Sequence, residues 1–355
     1  MASNSLSSPS ITVGLDLGDR SSHCCVVDAA GSVVETGRVR TTPEALRRLF
    51  GAHPPGRVVV EVGTHSPWVS RLLAACGHEV LVANPRKLRL IYASGTKTDR
   101  LDAEALARVG RLDPQLLAPI QHRGIAAQTD LALLRSRDCL VRARTQLINH
   151  VRGTVKAQGS RLPSSSAPAF PQKVAAYLPE PLRLPLQPLL ATIDHLTREI
   201  RAADARIEQV AAERYPETAR LRHVAGIGPI TSLCFVLTLE DPTRFPTSRA
   251  VGAYLGLRPK QRDSGARAPQ LRISKCGDVM VRRLLVSAAQ YIVGPLGPDC
   301  DLQRWGRTLA ARGGKNAKKR AVVAVARKLA CLLHCLWLHG TPYEPFRAAG
   351  ARAAA

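Results

Sequence analysis

Short apolar runs separated by turn residues fill the first part of the chain. Runs predicted to be strands span 11–16, 23–27, 32–39, 57–62 and 78–83. They are rich in Val, and Gly, Pro or Asn bounds most of them, which is typical of strands. Two helices are predicted between them, at 42–50 and 67–75, because Thr42 and Ser66 each precede a proline at the first turn.

The order of these elements is three strands, helix, strand, helix and strand, which predicts an α/β domain with the ribonuclease-H-like (RuvC-like) layout. Asp16 ends the first strand and Glu61 lies in the fourth. A helix is predicted from Thr98 to about Val109, and Asp99 and Asp102 share one face of its first turn. In this layout the four carboxylates would meet and repel one another. We therefore expect them to bind two Mg²⁺ ions, which would offset this repulsion. The alternative is structural: a strand-end aspartate bonded to a turn, and an acidic first turn that suits the helix dipole.

Helical spacing dominates the next part of the chain. A long helix is predicted at 129–155, and the Pro- and Ser-rich stretch 158–188 is predicted to be a loop or irregular insert. Apolar residues then repeat by four and three at 189, 193, 196, 200, 203, 207 and 210, which predicts a coiled-coil seam. The sequence leaves open whether this seam pairs within one chain or between subunits.

Glycines and basic residues mark the C-terminal part, which we predict to be mainly α-helical. Gly226 and Gly228 resemble the turn of a helix-hairpin-helix, whose amides approach phosphate, or they form an ordinary glycine turn. Ser264 precedes a glycine within a run of arginines and is a candidate nucleophile, although an isolated Ser-Gly is more often a plain turn. Two basic stretches, 258–283 and 312–320, are predicted to contact nucleic acid. The predicted contact residues are Arg258, Lys260, Arg262, Arg267, Arg272, Lys275, Arg282, Arg283, Lys315, Lys318, Lys319 and Arg320.

Composition narrows the classes of partner. Lys and Arg number 51 against 27 Asp and Glu, and the net charge of +24 indicates a polyanion, most often nucleic acid. We find no apolar run long enough to span a membrane and no signal peptide, so we expect no membrane partner. The nine cysteines lack regular spacing, which predicts a reduced, cytoplasmic protein. A protein that binds nucleic acid there would be nucleoid-associated when it acts. Cys331, His334, Cys335 and His339 share one predicted helix, where core packing is favoured over a zinc site.

Together these motifs resemble the DEDD transposases of bacterial insertion sequences of the IS110 group. Asp16, Glu61, Asp99 and Asp102 match the DEDD pattern. The C-terminal transposase domain of that family is matched by Gly226-Ile-Gly228, Tyr254-Leu-Gly-Leu257, Ser264-Gly and Ile273-Ser-Lys275 with Gly277. The resemblance covers about residues 11–345 in order.

The resemblance implies three regions and a mechanism. It implies a RuvC-like nuclease domain at 11–120, a helical coiled-coil region at 121–215 and a C-terminal transposase domain at 216–345. The residues outside the resemblance, 1–10 and 346–355, are predicted to be disordered tails, and the first ten are Ser-rich and polar. The resemblance further implies that Ser264 attacks DNA covalently while the four carboxylates bind the metal. Partners implied are double-stranded DNA (element ends and target), a structured noncoding guide RNA, and further copies of the chain in a dimer or tetramer whose active site is composite.

Three alternatives remain open. A Holliday-junction resolvase or other RuvC-like endonuclease would use water as the nucleophile, with Ser264 structural. An actin-like sugar kinase would use Gly14 to Gly18 as a phosphate hairpin, but no later Gly-rich adenosine loop follows. A decayed copy would bind nucleic acid without chemistry.

Overall fold

The computed structural model describes residues 10–85, 98–264, 269 and 271–346. The chain divides into two compact units, 1–123 and 124–355. Each unit has a hydrophobic core of its own.

A five-stranded sheet forms the centre of the N-terminal unit. Its strands are β1 (Thr12–Asp16), β2 (Ser21–Val27), β3 (Val33–Arg40), β4 (Arg57–Glu61) and β5 (Glu79–Ala83). The order is β3-β2-β1-β4-β5, with β1 antiparallel to β2 and parallel to β4. This confirms the predicted ribonuclease-H-like sheet, with each strand within two residues of its predicted limits.

Within the described residues, α-helices on this sheet are α1 (Pro43–Ala52), α2 (Ser66–Ala75) and α3 (Asp99–Leu112). Thr42 caps α1 through its side chain, as the sequence predicted. Leu46 and Phe50 of α1 and Leu73 of α2 are fully buried against the strands, and they form the larger hydrophobic cluster of the unit. On the other side Gly14 of β1 lies directly against α3, because a Cβ there would stand 1.9 Å from the carbonyl oxygen of Ala103.

Gly14→Ala should therefore disrupt the packing of β1 on α3. We expect the free energy of unfolding of the N-terminal unit to fall by about 3 kcal/mol, since backbone atoms cannot move aside. Urea unfolding followed by circular dichroism measures this. Gly51→Ala is the control, because Gly51 lies in α1 and a Cβ added there would meet nothing within 4 Å; equal losses for the two variants would show that the close approach is unimportant.

Helices make up most of the C-terminal unit. They are α4 (Ile125–Ala157), α5 (Phe170–Ala175), α6 (Glu180–Arg214), α7 (Glu217–Leu221), α8 (Pro229–Leu239), α9 (Ser248–Tyr254), α10 (Val279–Val293), α11 (Asp301–Ala311) and α12 (Ala317–His339). The fold class is thus confirmed: an α/β first part and a mainly α-helical remainder.

The long helices α4 and α6 pack antiparallel within one chain. Arg137 donates a hydrogen bond to Asp204 at 2.8 Å, and Arg144 donates one to Thr197 at 3.2 Å. Residue numbers therefore increase along α4 in the direction in which they decrease along α6. The apolar repeat in α6 faces inward, with its members at 193, 200, 207 and 210 buried and those at 189, 196 and 203 half-buried. The sequence left the pairing open, and the structure places it inside the chain.

The prediction of an irregular 158–188 segment was partly wrong. It contains α5 and the first turns of α6, with Pro185 and Pro188 inside a helix. Each proline removes one backbone donor. Burial of Leu182 and Leu186 in a separate hydrophobic cluster with Phe170 offsets that loss.

Helix α12 runs through the main core of the C-terminal unit. By length and composition it could cross a membrane, which corrects our finding that no such run exists, but 44% of its most apolar window is buried in the protein. The core helix of a protein outside the membrane can be equally long and apolar, so this single helix is weak evidence for a membrane. His334 is fully buried in α12, where its Nε2 donates to the Pro242 carbonyl at 2.8 Å. Its other ring nitrogen lies 2.9 Å from Ser248 Oγ, so the core interpretation of this helix is favoured over zinc.

Candidate active site and nucleic-acid surface

Two of the predicted carboxylates lie at the same edge of the sheet. Asp16 is the last residue of β1 and Glu61 the last residue of β4. The register pairs Leu15 with Val60, so the next residues along these parallel strands are the two carboxylates. Both are half-buried. The sheet topology therefore places Asp16 and Glu61 side by side at its carboxyl edge.

Helix α3 brings the other two carboxylates towards that edge. Thr98 caps the helix by accepting a hydrogen bond from the Leu101 amide at 3.3 Å. The far end of α3 lies at the opposite edge, where Arg57 at the start of β4 donates to the Gly110 carbonyl at 3.0 Å. The helix thus runs against the direction of β1 and β4. Its first turn, with Asp99 and Asp102, lies over the carboxyl ends of the strands.

His23 supports the same placement, although no sequence motif pointed to it. On β2 it pairs directly with Asp16, and its Nδ1 lies 3.6 Å from Asp99 Oδ2. The only signal in the sequence was its position in the strand that follows Gly18. This contact links the second strand to the first turn of α3.

The donor chemistry of this edge suits a divalent cation. Four carboxylates are hard oxygen ligands, which Mg²⁺ prefers. Among the described residues, however, no three His, Cys, Asp or Glu side chains already form a group that could hold a metal ion. The structure therefore brings the carboxylate-bearing elements to one edge, and it does not by itself define a ligand shell.

A second histidine fixes the chain that follows Glu61. Ser66 at the start of α2 is buried, and its hydroxyl donates to the Gly63 carbonyl at 2.9 Å while accepting from the Gly63 amide at 3.0 Å. His122 Nε2 lies 2.9 Å from the same hydroxyl. Burial, with Arg71 and Arg123 nearby, lowers the pKa of His122, which favours an uncharged ring in this contact. These bonds hold the turn behind Glu61.

Ser264 lies in an exposed loop of the C-terminal unit. At the base of this loop the chain pairs with itself: the Lys260 amide donates to the Arg272 carbonyl at 2.9 Å, and the Ser274 amide donates to the Arg258 carbonyl at 2.8 Å. A short antiparallel ladder therefore joins the two segments that flank this loop. The predicted carboxylates belong to the other unit. On its own unit, Ser264 follows the exposed basic residues Arg258, Lys260 and Arg262 in the sequence.

Two glycines explain why this base is compact. Gly256 and Gly277 have positive φ, and a Cβ on either would stand within 2.2 Å of a backbone oxygen, of Cys276 and Tyr254 respectively. The two segments thus cross with backbone against backbone, a contact that only glycine allows. The glycines of these two motifs hold the base of the Ser264 loop.

The basic residues of 258–283 fall into two groups. Arg258, Lys260, Arg262, Arg272 and Lys275 are exposed or half-buried on the loop and its base, and Arg267 lies outside the described residues. Arg282 is buried and donates to the carbonyls of Leu255 and Cys276 at 3.0 and 2.6 Å. The prediction of Arg282 as a nucleic-acid contact is corrected, because its guanidinium is used inside the domain.

Arg283 has a partner in the long helix α4. Its guanidinium bonds the carboxylate of Asp138, which is buried and also pairs with Arg142 at 2.8 Å. A buried carboxylate needs such cations. Arg283 in this structure therefore neutralises Asp138, and a contact with nucleic acid would require that it leave this pair.

The Gly226 and Gly228 turn joins α7 to α8, as expected of a helix-hairpin-helix. Gly226 has a φ of +77°, and a Cβ added there would lie 3.2 Å from the Ala288 carbonyl oxygen. Helix packing therefore accounts for this glycine. Gly228 precedes α8, and a Cβ added there would meet no atom within 4 Å. The structural role is clear for Gly226, and phosphate binding by the turn stays a prediction.

The second basic stretch forms a tight turn before α12. Gly313, Gly314 and Asn316 all have positive φ. Four cations are exposed along it and in the first turn of the helix: Lys315, Lys318, Lys319 and Arg320. Positive side chains at a helix N-terminus are locally unfavourable, so their presence there favours an anionic partner.

The fold and these sites together define a protein with a ribonuclease-H-like unit, whose carboxylate-bearing elements meet at one edge of the sheet, and a basic helical unit. Comparison with known families agrees. A family described as transposase, named for DEDD and IS110, matches residues 13–158, and a second, described as the transposase IS116/IS110/IS902 family, matches 218–298. The chain belongs to the IS110 family of transposases.

Relatives match along nearly the whole chain. A probable family 20 transposase of Pseudomonas aeruginosa is 31% identical over 94% of this chain and 98% of its own length. The transposase for insertion sequence element IS1111A of Coxiella burnetii is 28% identical over 94% of this chain and 91% of its own. A more distant relative is the pilin gene-inverting protein of Moraxella bovis, 23% identical over 81% of each chain.

Proposed function

We propose that this transposase cleaves and exchanges DNA strands through a covalent bond between Ser264 and DNA, in a reaction that depends on Mg²⁺. The observation that carries the proposal is the placement of Asp16, Glu61 and the first turn of α3 at one edge of the sheet. A metal-dependent nuclease needs oxygen ligands from several elements at one point. The test is the formation of a protein–DNA adduct that requires both Ser264 and the metal.

Asp16, Glu61, Asp99 and Asp102 would hold the metal, and two ions are proposed. When bound, the ions stabilise the charge that develops on phosphate and on the leaving oxygen. His23 would hold Asp99, which is 70% exposed and needs a partner to keep one orientation. The turn behind Glu61, held by Ser66, would keep that carboxylate at the strand end.

The covalent step exchanges one phosphate ester bond for another, so the number of ester bonds to phosphorus does not change. Ser264 Oγ forms a bond to phosphorus, the bond from phosphorus to one strand oxygen breaks, and that oxygen leaves as a hydroxyl after taking a proton. Attack by a hydroxyl of another strand reverses the step and releases the serine. Exposed arginines of the loop, Arg258 and Arg262, would hold the phosphate oxygens, as Arg267 would also do.

The proposal includes two kinds of partner. One is a structured noncoding RNA encoded by the element, which would guide target choice, and the basic surplus of +24 is consistent with it. The other is a dimer or tetramer of this chain, with carboxylates and Ser264 from different copies in one site. The relative named as a pilin gene-inverting protein supports a role in rearranging DNA.

A RuvC-like endonuclease that uses water is the second candidate. The carboxylate edge alone would serve it, because metal-activated water needs no serine. Hydrolysis that survives in Ser264→Ala, with no adduct in the unmodified protein, would favour this candidate.

The cations at the start of α12 provide a test of binding. Replacing Lys318, Lys319 and Arg320 together with Gln should weaken affinity for nucleic acid and flatten the log–log dependence on salt by about one unit for each phosphate that is no longer neutralised. Fluorescence anisotropy between low and moderate salt measures the slope. The control, with the same change in net charge, replaces three exposed arginines of α6: Arg198, Arg201 and Arg206. If both variants change the slope equally, the effect is one of total charge and the interface lies elsewhere.

A further inference from the structure

A cleft opens on the C-terminal unit between α10, α11 and α12, apart from the Ser264 loop. Its volume is about 670 Å³, which is within the range of sites for small organic ligands. Its apolar lining comes from Val286, Val293, Pro295, Ala310, Val322 and Val323. A cleft of this size suits one flat apolar group better than a long peptide.

The charged lining of the cleft has one sign. Arg307, Lys318 and Lys319 line it, and no acidic side chain of the described residues does. Arg307 donates to the Gly294 carbonyl at 3.3 Å, which places this cation at the cleft. Lys318 and Lys319 lie in the first turn of α12, which holds no acidic residue to offset them and where the helix dipole adds positive potential. The cleft therefore combines an apolar wall with an anion site.

Gln290 adds an uncharged hydrogen-bonding side chain to the lining, and it is exposed. An amide side chain can both donate and accept, so it can pair with the edge of a nucleobase. An unstacked nucleotide has each of the matching parts: a flat base for the apolar wall, polar edge groups for Gln290 and a phosphate for the cations.

We propose that this cleft binds one unstacked nucleotide of a nucleic acid that lies on the basic turn 312–320. The inference rests on the proposed nucleic-acid binding, and it adds a site that recognises the base rather than the phosphate alone. DNA and RNA share this chemistry, so the experiment has an arm for each. An acidic peptide could also match the charge, but the basic turn continues beyond the cleft with Lys315 and Arg320, which favours a continuous phosphate backbone.

The experiment measures affinity by fluorescence anisotropy with the full-length chain. Probes are a perfect duplex, the same duplex with one unpaired adenine, and the same duplex with an abasic residue in place of that adenine, each made as DNA and as RNA. We expect the adenine bulge to bind about tenfold more tightly than the abasic bulge in one of the two nucleic acids, from burial of the base. That arm identifies the source of the nucleotide.

Ala310→Leu fills the cleft and should reduce this preference to less than about twofold. Ala311→Leu is the matched control, because Ala311 is the exposed next residue and does not line the cleft; it should keep the preference. Gln290→Trp fills the cleft from its exposed rim and gives the same test if Ala310→Leu fails to fold.

Equal binding of the adenine and abasic bulges in both nucleic acids would overturn the inference, as would a preference that survives both filling variants. If a labelled peptide of alternating Glu and Leu, and not the adenine bulge, binds in a manner sensitive to cleft filling, the cleft is a protein-docking site and the inference is wrong. Perfect-duplex binding separates the two proposals: intact duplex binding without base preference contradicts the cleft alone, whereas loss of all binding contradicts the proposed function.

Discussion

Ser264→Ala is expected to bind nucleic acid normally and to form no covalent adduct with DNA. The serine lies in an exposed loop whose base does not depend on its hydroxyl, since backbone bonds and the crossing of Gly256 and Gly277 hold that base. Removing the nucleophile should lower strand exchange by about 10³-fold or more. A lone hydroxyl needs help to lose its proton, so the unmodified protein should also lose the adduct when Mg²⁺ is chelated.

Denaturing electrophoresis of the protein with labelled target DNA and guide RNA measures the adduct, and peptide sequencing locates it. Ser287→Ala is the control, since Ser287 is exposed on α10 and undergoes the same chemical change. An adduct that persists in Ser264→Ala, or that maps to another residue, would reject the covalent role of Ser264 and favour the water-based endonuclease.

Asp102→Asn is expected to abolish strand cleavage while the protein stays folded. The change removes the negative charge of one proposed ligand and keeps the shape of the side chain at the first turn of α3. Loss of several kcal/mol of transition-state stabilisation corresponds to about 10³-fold in rate. We expect the same result for Asp16→Asn, Glu61→Gln and Asp99→Asn, and for chelation of the metal.

Glu104→Gln supplies the control on the same helix. Glu104 pairs with Arg108 at 2.8 Å and is not among the proposed ligands, so cleavage should persist with the same loss of one charge. The measurements are cleavage of labelled DNA in Mg²⁺ and unfolding by circular dichroism. Full activity of Asp102→Asn in Mg²⁺ would show that the four-carboxylate site is wrong.

The sequence by itself determined the N-terminal fold. Strands such as 57–61 are short, continuous apolar runs between turn residues, and their hydrophobic pattern is local information. The N-cap at Thr98 was likewise readable, because the capping bond joins residues three apart. The candidate carboxylates could be proposed for the same reason: each stands out as a charge at the end of an apolar run or in a helix start.

The tertiary structure alone decided which basic side chains are used inside the fold. Arg282 and Arg283 look alike in the sequence, yet one holds two carbonyls and the other pairs with Asp138, 145 residues away along the chain. Pro185 lies inside a helix where the flanking Leu182 and Leu186 are buried in one cluster with residues far along the chain, such as Ile148. His23 beside Asp99, and the cleft between three helices, likewise depend on contacts between distant segments, and a local pattern carries no information about such contacts.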